Sequence, residues 1–203
     1  MTRRLHVVSV LLLLAVGLPL MASQDPATPF KRPANEAEEI RMALSALPEG
    51  MRDAAGVYVL GAKGFVRARE SRSGVNCLLS RSRPDTQEPI CWDREGSETI
   101  LPLALAKAEW RAAGASDDEI QKREHEGFAT GRFRAPRKGG VSYMLSSENW
   151  VHNGQKVVKY FPHLMFYAPY ATNADIGSDG KDPNAPWVLN PGTPHAYIIV
   201  VSR

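Results

Sequence analysis

The chain has 203 residues, 25 Lys and Arg against 22 Asp and Glu, a formal charge of +3, 43% apolar residues and two cysteines. A balance so near neutral leaves no electrostatic footprint for nucleic acid, and no nucleic-acid partner is expected. The length suits one domain with its own core and is too short for two of ordinary size.

The chain opens "MTRRLHVVSVLLLLAVGLPLMASQD". A basic start, an apolar middle from Val7 to Met21 and small residues thereafter have the three-part form of a secretory signal peptide, expected over residues 1–22. The apolar run is about 15 residues, short of the roughly 20 that cross a bilayer, so no stable membrane span is expected after cleavage. Loss of Arg3 and Arg4 leaves a charge of about +1. The expected location is exported, periplasmic or secreted. Residues 23–34, with three prolines and little apolar content, are expected to be a disordered leader.

A single globular domain is expected over residues 35–203. Asn35 begins "NEAEEIRMALSAL", where Asn35 and Glu38 have capping-box spacing and Ile40, Ala43, Leu44 and Leu47 form one apolar stripe. Pro48 and Gly50 stop that helix. From Gly56 the period shortens to that of strands. "VYVL", "FVRARE" and "VNCLLSRS", separated by Gly- and Ser-rich turns, predict an antiparallel meander, with Arg67 and Arg69 on a solvated face. "EPICWD" predicts a further strand.

Cys77 and Cys91 are the chain's two cysteines. In an exported chain they are expected to bond to each other and staple two strands, because their spacing is neither that of a CxxC redox pair nor that of a zinc knuckle.

"TILPLALAKAEWRAAG" predicts a helix over residues 100–113, with Leu103, Ala106 and Trp110 on one face. "SDDE" at Ser116 to Glu119 caps a second, over residues 117–128. "RFRAPRK", Arg132 to Lys138, reads as a solvated basic loop. The last third, "GVSYML", "KVVKYF", "HLMFYA" and "AYIIVV", is again extended, the final run having the two-sided apolarity of a central strand. The expected fold is α+β, an antiparallel sheet with three helices packed on it and one disulfide.

Candidate site residues gather at "FPHLMFYAPYATNADIGSDGKD". Strand alternation sends His163, Met165 and Tyr167 to one face and Leu164, Phe166 and Ala168 to the other. The first set is the composition of a small-molecule pocket wall, and equally that of a buried layer in which His163 donates to a carbonyl. In the following loop Asp175, Asp179 and Asp182 invite comparison with a calcium loop. Counting from Asp175, however, puts Gly177 at position 3 and Pro186 at position 12, so a turn-rich loop is the better reading. No HExxH, P-loop or GxGxxG motif occurs, and no metal or cofactor is expected.

Taken together, "SGVNC" ending at Cys77, "PICWD" around Cys91, "YML" at Tyr143 and "PHLM" at Pro162 resemble, in kind and order, a group of uncharacterised exported bacterial proteins. Their scheme is a glycine-led cysteine, a second cysteine followed by an acidic residue, a Y-M-L strand and a P-H-x-M strand. The resemblance implies an exported globular domain in which Cys77, Cys91 and His163 belong to the scheme, and implies no activity. The functional expectation is binding of a small ligand or an extracytoplasmic protein through His163, Met165 and Tyr167. The alternative is a hydrolase in which His163 is the base and Asp93 or Asp175 orients it.

Overall fold

Asn35 caps the first helix, α1 (Glu36–Leu44), its side chain accepting from the Glu38 backbone N–H, while the Glu38 carboxylate accepts from Ala34 N at 2.8 Å. These contacts are seen in a computed structural model that describes residues 28–182 and 185–201; the expected signal peptide and residues 23–27 of the leader lie outside them. The rest of the leader was expected to be disordered and instead runs along the domain. The Phe30 ring packs 5.6 Å from that of Trp150, and Arg32 donates to the Thr86 carbonyl at 3.2 Å. One aromatic and one arginine suffice to hold a Pro-rich segment whose conformational entropy is already low.

The strands are β1 (Gly56–Gly61), β2 (Gly64–Arg69), β3 (Asn76–Ser80), β4 (Glu88–Trp92), β5 (Val141–Met144), β6 (Trp150–His152), β7 (Val157–Lys159), β8 (His163–Tyr167), β9 (Trp187–Leu189) and β10 (Tyr197–Val201). Eight of them form one sheet in the order β2-β1-β3-β4-β5-β8-β10-β9, and β6 pairs with β7 in a separate hairpin. The expected meander fails at one point: β3 lies beside β1 and runs parallel to it. After β2 the chain turns back beneath the start of β1, with Arg72 N and Ser73 N donating to the Ala54 carbonyl and Gly56 N to that of Val75. This connection leaves β2 at the edge, where Val66 is 56% exposed and Arg67 reaches solvent. A charged, partly open edge of this kind also discourages pairing with another chain.

Alternation along the strands separates two faces. On one, α1 and the turn after it lay Ala43, Leu44 and Leu47 against Val57, Val59, Cys77 and Cys91. On the other, Tyr58, Leu78, Ile90, Trp92, Met144, Met165 and Tyr167 pack with Ile100 and Leu101. Those two residues come from the junction of α2 (Arg94–Thr99) and α3 (Leu101–Ala112). The helix α4 (Asp117–Ala129), capped by Ser116 as expected, does not join a three-helix layer. It packs on α3 instead, burying Ile120 with Trp110 and Phe133. Phe133 is the exception within the otherwise solvated basic loop, because its ring fills the space beside Gly127. The expected α+β class and mostly antiparallel sheet are therefore present, with helices on both faces and one of them a layer further out.

Cys77 and Cys91 face each other in the β3–β4 register, and their sulfurs are bonded at 2.02 Å, fully buried under α1. Closing a loop of about 15 residues contributes ~3 kcal/mol on the chain-entropy account. A Cys77→Ala/Cys91→Ala variant is expected to lose about that much in urea unfolding; an unchanged midpoint would assign the stability of β3–β4 to packing alone.

Candidate functional site

The β6–β7 hairpin folds back over the β5–β8–β10 part of the sheet. Its base is fixed by a two-way backbone bridge, Gln87 N to Trp150 O at 2.9 Å and Trp150 N to Gln87 O at 2.8 Å. Asn149 reinforces it by donating to the Met144 and Ser146 carbonyls. Between hairpin and sheet lies a cavity of about 590 Å³. Its floor is Ile90, Met144, Met165 and Ile199; Val151 and Val158 roof it; Trp187 and Leu189 close one side, and Arg83, Glu88, Lys107 and Asn190 stand at its edge. Volume and composition fall in the range of sites for small organic ligands, an apolar body with a few polar groups.

His163 and Met165 line this cavity, on the face that alternation predicts. That face is also the buried one: His163 is 3% exposed, whereas Phe166 on the opposite face is 42% exposed. The His163 Nδ1 lies 2.7 Å from the Phe161 carbonyl oxygen. A carbonyl only accepts, so Nδ1 carries the proton and Nε2 holds a lone pair. Nε2 makes no hydrogen bond among the described residues, and the ring stands edge-on to Tyr160 at 5.1 Å. Burial lowers the pKa of His163 below its ordinary value, outweighing the hydrogen bond to Phe161, so the ring is held neutral.

Neither carboxylate expected to orient His163 does so. Asp93 caps α2, its Oδ1 accepting from Gly96 N at 2.9 Å, and its Oδ2 accepts from Val141 N at 2.9 Å. Asp175 closes a tight turn by accepting from Thr172 N and Thr172 Oγ1, contacts that lower its pKa. Asp179 likewise accepts from Lys181 N two residues on. No group of three His, Cys, Asp or Glu among the described residues could hold a metal ion.

Tyr167 does not line the cavity, although it shares a face with His163. Its hydroxyl sits 2.9 Å from Asp93 Oδ1 and 3.0 Å from the Val141 carbonyl, and burial pushes the phenol far above its usual range. Two glycines make room for this pair. A Cβ on Gly96 would lie 1.9 Å from the Tyr167 hydroxyl oxygen, and one on Gly140 would lie 2.4 Å from Asp93 Oδ2. Tyr167 and Asp93 are thus a structural clamp rather than binding groups.

A second polar cluster, which spacing in the sequence gave no means of finding, stands at the cavity edge. Glu124 on α4 lies between His195 Nε2, at 3.0 Å, and the Lys107 ammonium on α3. The His195 ring stacks on Phe128 at 5.6 Å, and its Nδ1 is buried without a partner among the described residues. Lys107 and Asn190 border both this cluster and the main cavity. Burial raises the Glu124 pKa, but hydrogen bonds from His195 and Lys107 outweigh it and bring the carboxyl to about 2.

No protein-family model matches the chain, and no curated protein or solved structure is significantly similar to it. Among the described residues, no helix is long and apolar enough to cross a membrane.

Gly96→Ala is expected to lower stability by about 1–3 kcal/mol, because overpacking against Tyr167 exceeds the ~1 kcal/mol that Ala gains in helix propensity. A raised thermal midpoint would mean that the clamp yields freely. For Glu124, a folded carboxyl pKa near 2 against an ordinary 4.5 gives stability that is complete above pH 4.5 and lost as the pH falls through 2. The expected deficit of Glu124→Gln is roughly 3 kcal/mol at neutral pH, shrinking between those limits. A deficit constant down to pH 2 would show that the carboxylate is not held by these partners.

Proposed function

We propose that this is an exported binding protein whose β6–β7 hairpin closes over a small, largely apolar molecule on the β5–β8–β10 face. The observation that carries the reading is a cavity of about 590 Å³ with an apolar floor and roof, polar groups at its edge, and in its wall the neutral His163, whose Nε2 has no hydrogen-bond partner among the described residues. A buried polar atom normally finds a partner, and one left open toward a cavity is an offer to a ligand donor. Export is supported by the signal-like amino-terminal sequence together with a disulfide, which persists in oxidising compartments.

Binding is favoured over hydrolysis because the Nδ1 of His163 is engaged by the Phe161 carbonyl, with no carboxylate there to stabilise an imidazolium. Burial likewise opposes the protonated ring that a general base must become. The hairpin tip, Asn153 to Lys156, is exposed, while the hairpin's base is bridged to Gln87.

A fluorescent apolar probe such as anilinonaphthalene sulfonate is expected to bind the native chain with one site. Val158→Trp, which fills the cavity from the roof, is expected to weaken it at least tenfold with the thermal midpoint little changed. Equal binding to both proteins would place the probe elsewhere and remove the basis for the reading.

A further inference from the structure

We propose that the cavity floor holds a soft monovalent cation, Cu(I) or Ag(I), between His163 Nε2 and the thioethers of Met144 and Met165. The proposal goes beyond an organic ligand and shares with it only the cavity. In the β5–β8 register Met144 lies directly opposite His163, and Met165 is two residues along β8 on the same face. Opposite residues in an antiparallel pair have Cβ atoms about 4.5–5.5 Å apart and diagonal ones about 7–8 Å, so the three side chains form one triangle on the sheet. All three line the same cavity, and each is at least 95% buried. Each thioether sits on an unbranched stem with three rotatable bonds, which lets both sulfurs turn toward one point.

The donor set selects the ion. Two thioethers and an imidazole are soft or borderline and carry no charge, so they do not offset a buried divalent cation. Hard cations need oxygen ligands, and the described residues bring no acidic cluster to this point. The imidazole is already arranged as a ligand, since a metal-binding histidine typically donates its other ring N–H to a carbonyl, as Nδ1 does to Phe161. No proton has to leave for Nε2 to bind, because that nitrogen is unprotonated. Thiolates do not compete: the two cysteines of the chain are bonded to each other.

The test is titration of the oxidised protein with silver nitrate in chloride-free buffer, followed by thermal unfolding and by equilibrium competition. One equivalent is expected to bind and to raise the midpoint by roughly 5 °C at large excess over the dissociation constant. Met144→Leu and Met165→Leu keep the apolar volume, and each is expected to weaken binding at least tenfold with the metal-free midpoint nearly unchanged. Absence of stabilisation, equal stabilisation of the double leucine variant, or an equal response to Zn(II) would overturn the site. The apolar probe, measured on the same samples, separates the two readings: probe binding without silver binding removes the cation site and leaves the organic-ligand reading intact.

Discussion

The Asp93 carboxylate is the contact on which the rest of the arrangement depends. It ends β4, starts α2, receives the backbone of β5 and receives the hydroxyl of Tyr167 on β8. A charged acceptor in a half-buried position is strongly held because its two oxygens are filled by donors from different elements. The strands that carry Met144, His163 and Met165 are adjacent in the register that this clamp fixes. Gly96 and Gly140 are part of the same device, since any side chain at either position would occupy the space of the carboxylate or the phenol. Trp92 extends it by donating from Nε1 to the Tyr197 hydroxyl at 3.2 Å, and burial pushes that phenol up to about 12.

The two halves of the sheet are stabilised differently, and the cavity follows from the difference. On the β1–β3–β4 side, α1 covers one face over the disulfide and the α2–α3 junction covers the other. On the β5–β8–β10 side the α2–α3 junction brings Ile100 and Leu101 into one cluster with Met144, Met165 and Tyr167, and the part of that face around His163 is covered by a three-residue by three-residue hairpin. A two-stranded hairpin is marginally stable by itself, and this one is anchored by its bridge to Gln87. The space beneath it is bordered by Lys107 of α3, which interlocks with Glu124 of α4 and, through it, with His195 of the loop before β10.

Burial and hydrogen bonding together decide what His163 can do. In water an imidazole near its ordinary pKa would be partly protonated at neutral pH. Here desolvation removes the charged form, and the Phe161 carbonyl selects the tautomer. What remains is a neutral ring in the cavity wall with an unshared lone pair on Nε2, which suits it to accept a hydrogen bond or a soft metal and does not suit it to store a proton.

Period and punctuation in the sequence determined the helices at Glu36 and Asp117, their Asn35 and Ser116 caps, the bonding of Cys77 to Cys91, and the face shared by His163, Met165 and Tyr167. Each depends on residues close in the chain or, for the cysteines, on there being one partner to choose. The tertiary structure decided the parallel neighbour of β1, the clamp role of Asp93 and Tyr167, and the hairpin that turns the His163 face into a cavity wall. It also brought Lys107, Glu124 and His195 together from α3, α4 and the loop before β10. Strand order and long-range pairing carry no local signature, because the same alternation of side chains fits a strand against any neighbour. A carboxylate such as Asp93 reads identically as a cap, a clamp or a catalytic partner until its donors are in place.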